Sequence, residues 1–213
     1  MRIKVVVLPI AILSALQMMA GALAPCVKAT SSADGNFLVV SSMEMQPGSS
    51  DRVQRVTVDV VAKERFINAK DRIISRNVFW SGRLWSVVLN RDDVMRFEAC
   101  PLALITNDGE FIVIVSQHVL EGDNALHIWR RRDHLGDPLR EGPDHGIGVK
   151  DIPLNQLWPA GKLSEARVMT DGTPQWFAGG TFEFSADSRT LIHKTRWGTT
   201  VHIRLSDGSV SAD

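Results

Sequence analysis

The segment SADGNFLVV at residues 32–40 decides the fold, because two later segments of the chain repeat its pattern. These are TNDGEFIVI at residues 106–114 and SADSRTLI at residues 185–192. In each segment a Ser or Thr stands two residues before an Asp, and Gly or Ser follows the Asp, which is typical of a tight turn. The apolar run that comes next has the length and composition of a strand. The sequence therefore predicts three copies of a turn that leads into a strand.

Other short apolar runs between turn residues have the same character. Val56, Val58 and Val60 alternate with polar residues, as do the residues of 199–205, and such alternation predicts strands with one buried face. No segment keeps a helical period, so Leu154 to Trp158 is expected to form one turn at most, and Gly136 to Lys150 is predicted to be a loop. The chain is therefore predicted to be mainly β, with strands over 37–42, 53–61, 111–116, 126–130, 181–185, 190–195 and 199–205.

The spacing of the repeated turns bears on how the strands are arranged. Asp34 and Asp108 are 74 residues apart, and Asp108 and Asp187 are 79 apart, each about twice the roughly 40 residues of a propeller blade. A closed propeller needs at least four blades, which a chain of this length barely supplies. The sequence is compatible with antiparallel propeller-like sheets in an open stack and equally with a β-sandwich.

The N-terminal segment has the features of an export signal. Arg2 and Lys4 are followed by an uncharged run from Val5 to Ala24, which is the order of a signal peptide. The sequence favours cleavage after Ala29, giving a signal peptide over 1–29 and a single β-rich domain over 30–213. We expect the domain to be secreted or periplasmic.

Two alternatives to this cleavage stay open. The residues before Cys26 are similar to a bacterial lipobox, although Pro25 replaces the small residue required there. The uncharged run is also about 20 residues long, enough to span a bilayer as a retained helical anchor. Contact with a membrane is expected only through this segment, if it is retained.

Composition excludes some partners. The chain has 24 Lys and Arg against 24 Asp and Glu, and residues 1–29 hold three of the basic residues and no acidic one, so the remainder has a net charge of about −3. Nucleic-acid binding is not expected, because it usually shows as a basic surplus. With Cys26 removed, Cys100 would be a lone and inert thiol. The sequence contains no cofactor motif.

Three kinds of site are candidates. A metal site could use His134, Asp137 and His145, although their spacing matches no standard pattern and a polar loop is the favoured interpretation. A hydrolase could draw on one of four histidines and on Ser116 or Ser206, but neither Gly-x-Ser-x-Gly nor His-Glu-x-x-His is present. The four histidines are His118, His127, His193 and His202.

Ligand recognition is the third candidate. Most of the six tryptophans lie in apolar runs and are expected in the core, whereas Trp197 lies in a predicted hairpin turn and is the candidate for an exposed ring. Arg130 and Arg131 belong to the only basic run, where a solvated hairpin end is favoured over a binding patch.

From Ala103 onward, the order of features resembles uncharacterised secreted bacterial proteins with propeller-like β repeats. The matching features are the strand start at Thr106 to Val113, the loop 121–124, the strand Leu126 to Trp129, the turn Leu135-Gly136-Asp137, the segment Ile152 to Leu157, Trp176, and the closing turn Ser206-Asp207-Gly208. The resemblance covers about half of the chain and implies a propeller-like fold and export, without an activity. The long loop after Gly136 and the three consecutive arginines depart from it.

These observations favour a non-enzymatic domain that binds a protein, a peptide or an envelope component through its loops or an open sheet edge. A hydrolase, metal-dependent or otherwise, that uses the loop 133–145 is the alternative.

Overall fold

The structure is a computed structural model that describes residues 27–45, 53–62, 83–89, 101–116, 119, 122–132, 144–158, 167–168 and 174–213. Within these ranges the chain is mainly β, as the sequence predicts, and the sheets are predominantly antiparallel. The export segment 1–26, Cys100 and the segment 133–143 lie outside the described residues.

Fourteen strands and one helical turn make up the described part of the chain. The first eight strands are β1 (Val27–Ser31), β2 (Phe37–Met45), β3 (Val53–Ala62), β4 (Arg83–Leu89), β5 (Leu102–Ile105), β6 (Phe111–Val115), β7 (Asn124–Arg131) and β8 (Asp144–Pro153). After the helical turn α1 (Leu154–Leu157) come β9 (Arg167–Val168), β10 (Pro174–Gln175), β11 (Thr181–Phe184), β12 (Thr190–Lys194), β13 (Thr200–Arg204) and β14 (Val210–Ala212).

Twelve of the strands form three antiparallel groups of four, which we call sheets I, II and III, and β9 and β10 pair only with each other among the described strands. Sheet I is β1–β4, sheet II is β5–β8 and sheet III is β11–β14, and within each the strands follow chain order. A short parallel pairing, Trp85 with Asp144 and Ser86 with His145, joins sheets I and II edge to edge. A Cβ added to Gly146 would lie 2.8 Å from the Trp85 ring and 2.8 Å from a methyl group of Val87. Only glycine therefore lets β8 approach β4 this closely.

Sheets I and II also pack face to face. Val58, Val60 and Trp85 of sheet I are fully buried against Ile112 and Ile114 of sheet II. The alternation read in β3 therefore places its valines in a core, as predicted. Burial of this many large apolar side chains is the main stabilising term of such a packing.

Sheets II and III enclose a second core. Phe111, Val113 and Val115, on the opposite face of β6, pack with the buried residues of sheet III and of α1. Strand β6 is therefore covered on both faces, which explains why its sequence FIVIV is continuously apolar rather than alternating. On sheet III the buried residues of this core are Leu191, Val201, Ile203 and Leu205.

The outer face of sheet III is polar. Lys194 lies 2.5 Å from Glu183 there, and His202 Nε2 lies 3.0 Å from a carboxylate oxygen of Asp213. Ile192, which is half-buried, is an apolar exception. A face of this composition does not offer a further sheet an apolar core.

One prediction of local structure is wrong. The segment Gly136 to Lys150 is not a loop throughout, because Asp144 to Lys150 belong to β8. Of the glycines that suggested a loop, Gly146 instead allows close packing against Trp85, where an added Cβ would lie 2.8 Å from the ring, whereas Gly148 leaves room for a Cβ at 3.8 Å from Trp129. The predicted single turn at Leu154 is confirmed as α1.

Candidate functional site

The three repeated segments form the same turn. In the first, the Ser32 hydroxyl donates to Asp34 Oδ1 at 2.7 Å, and the backbone N–H of Phe37 donates back to Ser32 Oγ at 3.0 Å. The corresponding Thr106 hydroxyl donates to Asp108 at 2.5 Å, and the Ser185 hydroxyl donates to Asp187 at 2.6 Å. Each hydroxyl thus replaces a missing backbone partner, which is why Ser or Thr is needed at this position.

The residue after each aspartate has a left-handed backbone conformation. The φ angles are 71° at Gly35, 68° at Gly109 and 59° at Ser188. Glycine adopts this conformation without a steric penalty, whereas Ser188 is strained there. The strain at Ser188 is accompanied by a contact that glycine could not make.

That contact joins neighbouring turns. The Ser188 hydroxyl accepts a hydrogen bond from the backbone N–H of Asn107 at 3.3 Å, and the Asn107 side-chain oxygen accepts one from the N–H of Asp34 at 3.1 Å. The turns of sheets I, II and III are thereby connected in a row, which we call the turn ladder (residues 32–36, 106–110 and 185–189).

Aromatic residues support the middle of the ladder. The Trp85 indole N–H donates to the carbonyl of Gly109 at 2.9 Å. Three atoms of the Phe37 ring lie 2.8 to 3.0 Å from the position that a Cβ on Gly109 would occupy. The buried side of the ladder is therefore closely packed, while Asp34, Asp108 and Asp187 on its other side are exposed.

An ionic cluster lies at the sheet III end of the ladder. The Glu110 carboxylate accepts from Arg130 Nε at 2.7 Å and from Arg189 Nη1 at 2.8 Å. Both guanidinium groups lie 5.9 Å from the centre of the Phe111 ring. The hydrogen bond from Arg189 to Glu110 and the attraction between their charges raise the pKa of Arg189.

A second polar arrangement lies at the opposite end of sheet II. Ser116 Oγ is 3.1 Å from His127 Nε2, and His127 Nδ1 is 2.8 Å from Asp151 Oδ1. The register brings them together, since His127 pairs with Ile114 on one side and with Asp151 on the other. The hydrogen bond from His127 is the main cause that lowers the pKa of Asp151. The imidazole therefore donates its Nδ1–H to the Asp151 carboxylate, while its Nε2 is hydrogen-bonded to the Ser116 hydroxyl.

This order of groups is that of a Ser-His-Asp triad, but the serine is enclosed. Ser116 has no exposed surface, while its carbonyl accepts from the Trp176 indole N–H at 2.8 Å and its N–H donates to Ala125 at 2.9 Å. A nucleophile must reach its substrate, which the buried Ser116 cannot do in this conformation. Here the hydrogen bonds instead hold β6, β7, β8 and Trp176 together.

A cluster of aromatic rings surrounds Trp176. The ring of Trp158 contacts that of Trp176 edge to face, with 5.9 Å between the ring centres, and the His193 ring does the same at 5.4 Å. His193 also stacks on the ring of Phe182, 4.4 Å away. His193 Nδ1 donates to the carbonyl of Thr181, and burial lowers the pKa of this histidine. Within the described part of the chain, His193 Nε2 and Trp158 Nε1 are buried without a hydrogen-bond partner.

The predicted ligand-binding residues lie in two separate places. Trp197 lies in the β12–β13 turn as predicted, but it is half-buried, packing on Trp158 at 4.7 Å beneath the guanidinium of Arg196. Arg130 lies at the ladder end of β7, where Arg131 donates its backbone N–H to the Glu110 carbonyl. Because the β12–β13 turn is at the opposite end of the stack, Trp197 and the two arginines do not form one site.

The predicted metal ligands are largely outside the described residues. His134 and Asp137 belong to the segment 133–143, and only the backbone of His145 is described, in β8. In the described ranges, no three His, Cys, Asp or Glu side chains converge as a metal site would require. Among the same residues, no helix has the length and hydrophobicity needed to cross a membrane.

Sequence reasoning named Ser116 and His127 separately but missed Asp151, Glu110 and Arg189. The signal for Asp151 is present only in the strand register, because it lies 24 positions from His127 and just beyond the segment that the sequence predicts to be a loop. Glu110 and Arg189 occupy equivalent positions in two of the repeated segments, one residue beyond the left-handed position. Alignment of the three turns could therefore have suggested that these residues are neighbours.

Comparisons with known proteins add a structural similarity. No family model and no curated protein matches the chain. Among solved structures, the chain is similar to the Myceliophteria thermophila Cps50 (Swd1) β-propeller domain, with 11% sequence identity, a TM-score of 0.42, and coverage of 99% of this chain and 46% of that one. The chain thus spans about half the length of that structure, and a similarity of this strength carries no conclusion about function.

Proposed function

We propose that this chain is an exported β-rich domain that binds a protein, peptide or envelope component without catalysing a reaction, and that the turn ladder is its binding surface. The observation that supports this is the ladder itself, a row of three exposed turns joined to one another across three sheets. Binding residues are often carried on loops that a rigid scaffold positions.

Rigidity favours binding at this surface. Each turn is closed by its own Ser or Thr hydroxyl, and the middle turn is packed against Phe37 and bonded to Trp85. A surface that is already ordered loses less conformational entropy when a partner binds. The ladder therefore requires little rearrangement to receive a partner.

The charge of the ladder indicates the chemistry of the partner. Hydrogen bonds from the turns lower the pKa of Asp34 and Asp187, so these exposed carboxylates stay ionised. The residues of the ladder itself carry four carboxylates and one guanidinium group, which leaves a negative surplus. We infer a partner with an excess of Lys and Arg. The groups within the ladder are Asp34, Asp108, Glu110 and Asp187 against Arg189, and Arg130 and Arg131 lie beside it at the end of β7.

The test is selection from a phage-displayed library of random dodecapeptides on the purified protein. We expect enrichment of basic peptides, and at least tenfold weaker binding of those peptides to Ala33→Arg and Ala186→Arg. Both alanines are exposed, so these changes place a bulky cation on the ladder without removing a turn hydrogen bond. Ser211→Arg, on the outer face of sheet III, is the matched control and should bind normally. Absence of enrichment, or equal binding by all variants, would contradict the proposal.

A serine hydrolase is the second candidate, favoured by the order Ser116, His127, Asp151. It would require a conformation that exposes Ser116. Labelling by a fluorophosphonate that disappears in Ser116→Ala would establish it and displace the binding proposal. Metal-dependent hydrolysis through His134, Asp137 and His145 stays a prediction, and elemental analysis of untagged protein would test it.

A further inference from the structure

We propose that strand β1 remains in the mature protein, so that any export processing takes place N-terminal to Val27 and the chain enters the fold at the end opposite the turn ladder. This inference rests on the export part of the proposed function. It differs from the cleavage after Ala29 that the sequence favours, and the difference comes from β1, which begins at Val27.

The pairing of β1 is the first argument. All five of its residues pair with β2, from Val27 opposite Ser42 to Ser31 opposite Leu38. Cleavage after Ala29 would remove the partners of Val40, Ser41 and Ser42. The outer edge of β2 would then present unpaired backbone groups, and such an edge is prone to pair with other chains.

The repeated architecture is the second argument. In sheets II and III the strand before the ladder turn has four residues, Leu102–Ile105 and Thr181–Phe184. Strand β1 holds this position in sheet I with five residues. A chain that begins at Thr30 would keep two of them, Thr30 and Ser31, so sheet I alone would lack the strand that leads into its turn.

The position of β1 gives the inference a consequence for function. The strand runs from Val27 to the turn at Ser32, and its five residues extend over about 13 Å. Val27 is therefore at the far end of the sheet from the ladder. Should the N terminus be held at a membrane, by a retained anchor or by a lipid on Cys26, the ladder would face away from that membrane and stay accessible to a partner.

The test uses the full-length chain, produced in a bacterium with its own N-terminal segment and a C-terminal tag. Intact-mass measurement of the purified protein should give a first residue between Met1 and Val27. A first residue at Lys28 or later, including the Thr30 expected from cleavage after Ala29, would overturn the proposal. Fractionation of the same cells tests export separately, so failure of export is distinguishable from processing within β1.

Hydrogen exchange on the same sample decides whether a retained β1 is folded. Because β1 and β5 each pair with one neighbour, only alternate amides of residues 28–31 donate to β2, and these should be protected to within about tenfold of the corresponding bonded amides of β5. Exchange at the rate of an unstructured peptide would overturn the proposal even if the mass shows that these residues are present. This readout applies equally when the chain still begins at Met1.

Discussion

Replacing Gly109 with alanine perturbs the ladder at the point where a turn and a core meet. Gly109 has a φ of 68°, which disfavours any side chain by about 1–2 kcal/mol. Its added Cβ would also lie 2.8 to 3.0 Å from three atoms of the Phe37 ring, and overpacking of this kind costs about 1–3 kcal/mol. We therefore expect Gly109→Ala to lower the free energy of unfolding by about 2–5 kcal/mol.

Gly198 provides the matched control. Its φ of 87° is also left-handed, but no atom lies within 4 Å of the position of its Cβ. Gly198→Ala should consequently lower the free energy of unfolding by the conformational part alone, about 1–2 kcal/mol. Both values are measurable by urea denaturation followed through tryptophan fluorescence, with extrapolation to zero denaturant.

A double-mutant cycle isolates the contact between the two residues. In a Phe37→Ala background the ring is absent, so Gly109→Ala should have no larger effect than Gly198→Ala has in the wild type. Equal effects of Gly109→Ala and Gly198→Ala in the wild type, or additive effects of Gly109→Ala and Phe37→Ala, would refute the packing of Phe37 on the ladder.

Two further predictions concern the other end of the stack. Ser116→Ala should destabilise the protein by about 1–3 kcal/mol in calorimetry, because it leaves His127 Nε2 buried without its partner. Dodecapeptide binding should stay unchanged. An unaltered melting temperature would argue against this hydrogen bond. Burial lowers the pKa of His193 in the folded state, so the histidine of the unfolded chain takes up a proton first as the pH falls below about 6.5. The free energy of unfolding should therefore decrease with falling pH, by at most about 1.4 kcal/mol per pH unit. His193→Phe cannot be protonated, so the pH dependence between 7 and 5 should be weaker than in the wild type, and an unchanged dependence would contradict this assignment.

Local patterns were sufficient wherever the hydrogen bonds are local. The turn at Ser32 is closed by partners at most five residues away, and the same is true of the turns at Thr106 and Ser185. The alternation of β3 and β13 likewise predicted which side chains are buried. In β8, however, the sequence pattern is misleading, because Gly146 serves close contact with Trp85 and Val87 rather than chain reversal.

The sequence by itself determined the β class and the three turns, because a Ser or Thr hydroxyl and an Asp carboxylate satisfy backbone groups within their own segment. Only the tertiary structure decided that these turns form one surface, since the bonds from Asp34 to Asn107 and from Asn107 to Ser188 join residues 73 and 81 positions apart. The same holds for Ser116, His127 and Asp151, which the register of three strands brings together. Bonds of this kind depend on how whole sheets stack, and no short segment encodes that stacking.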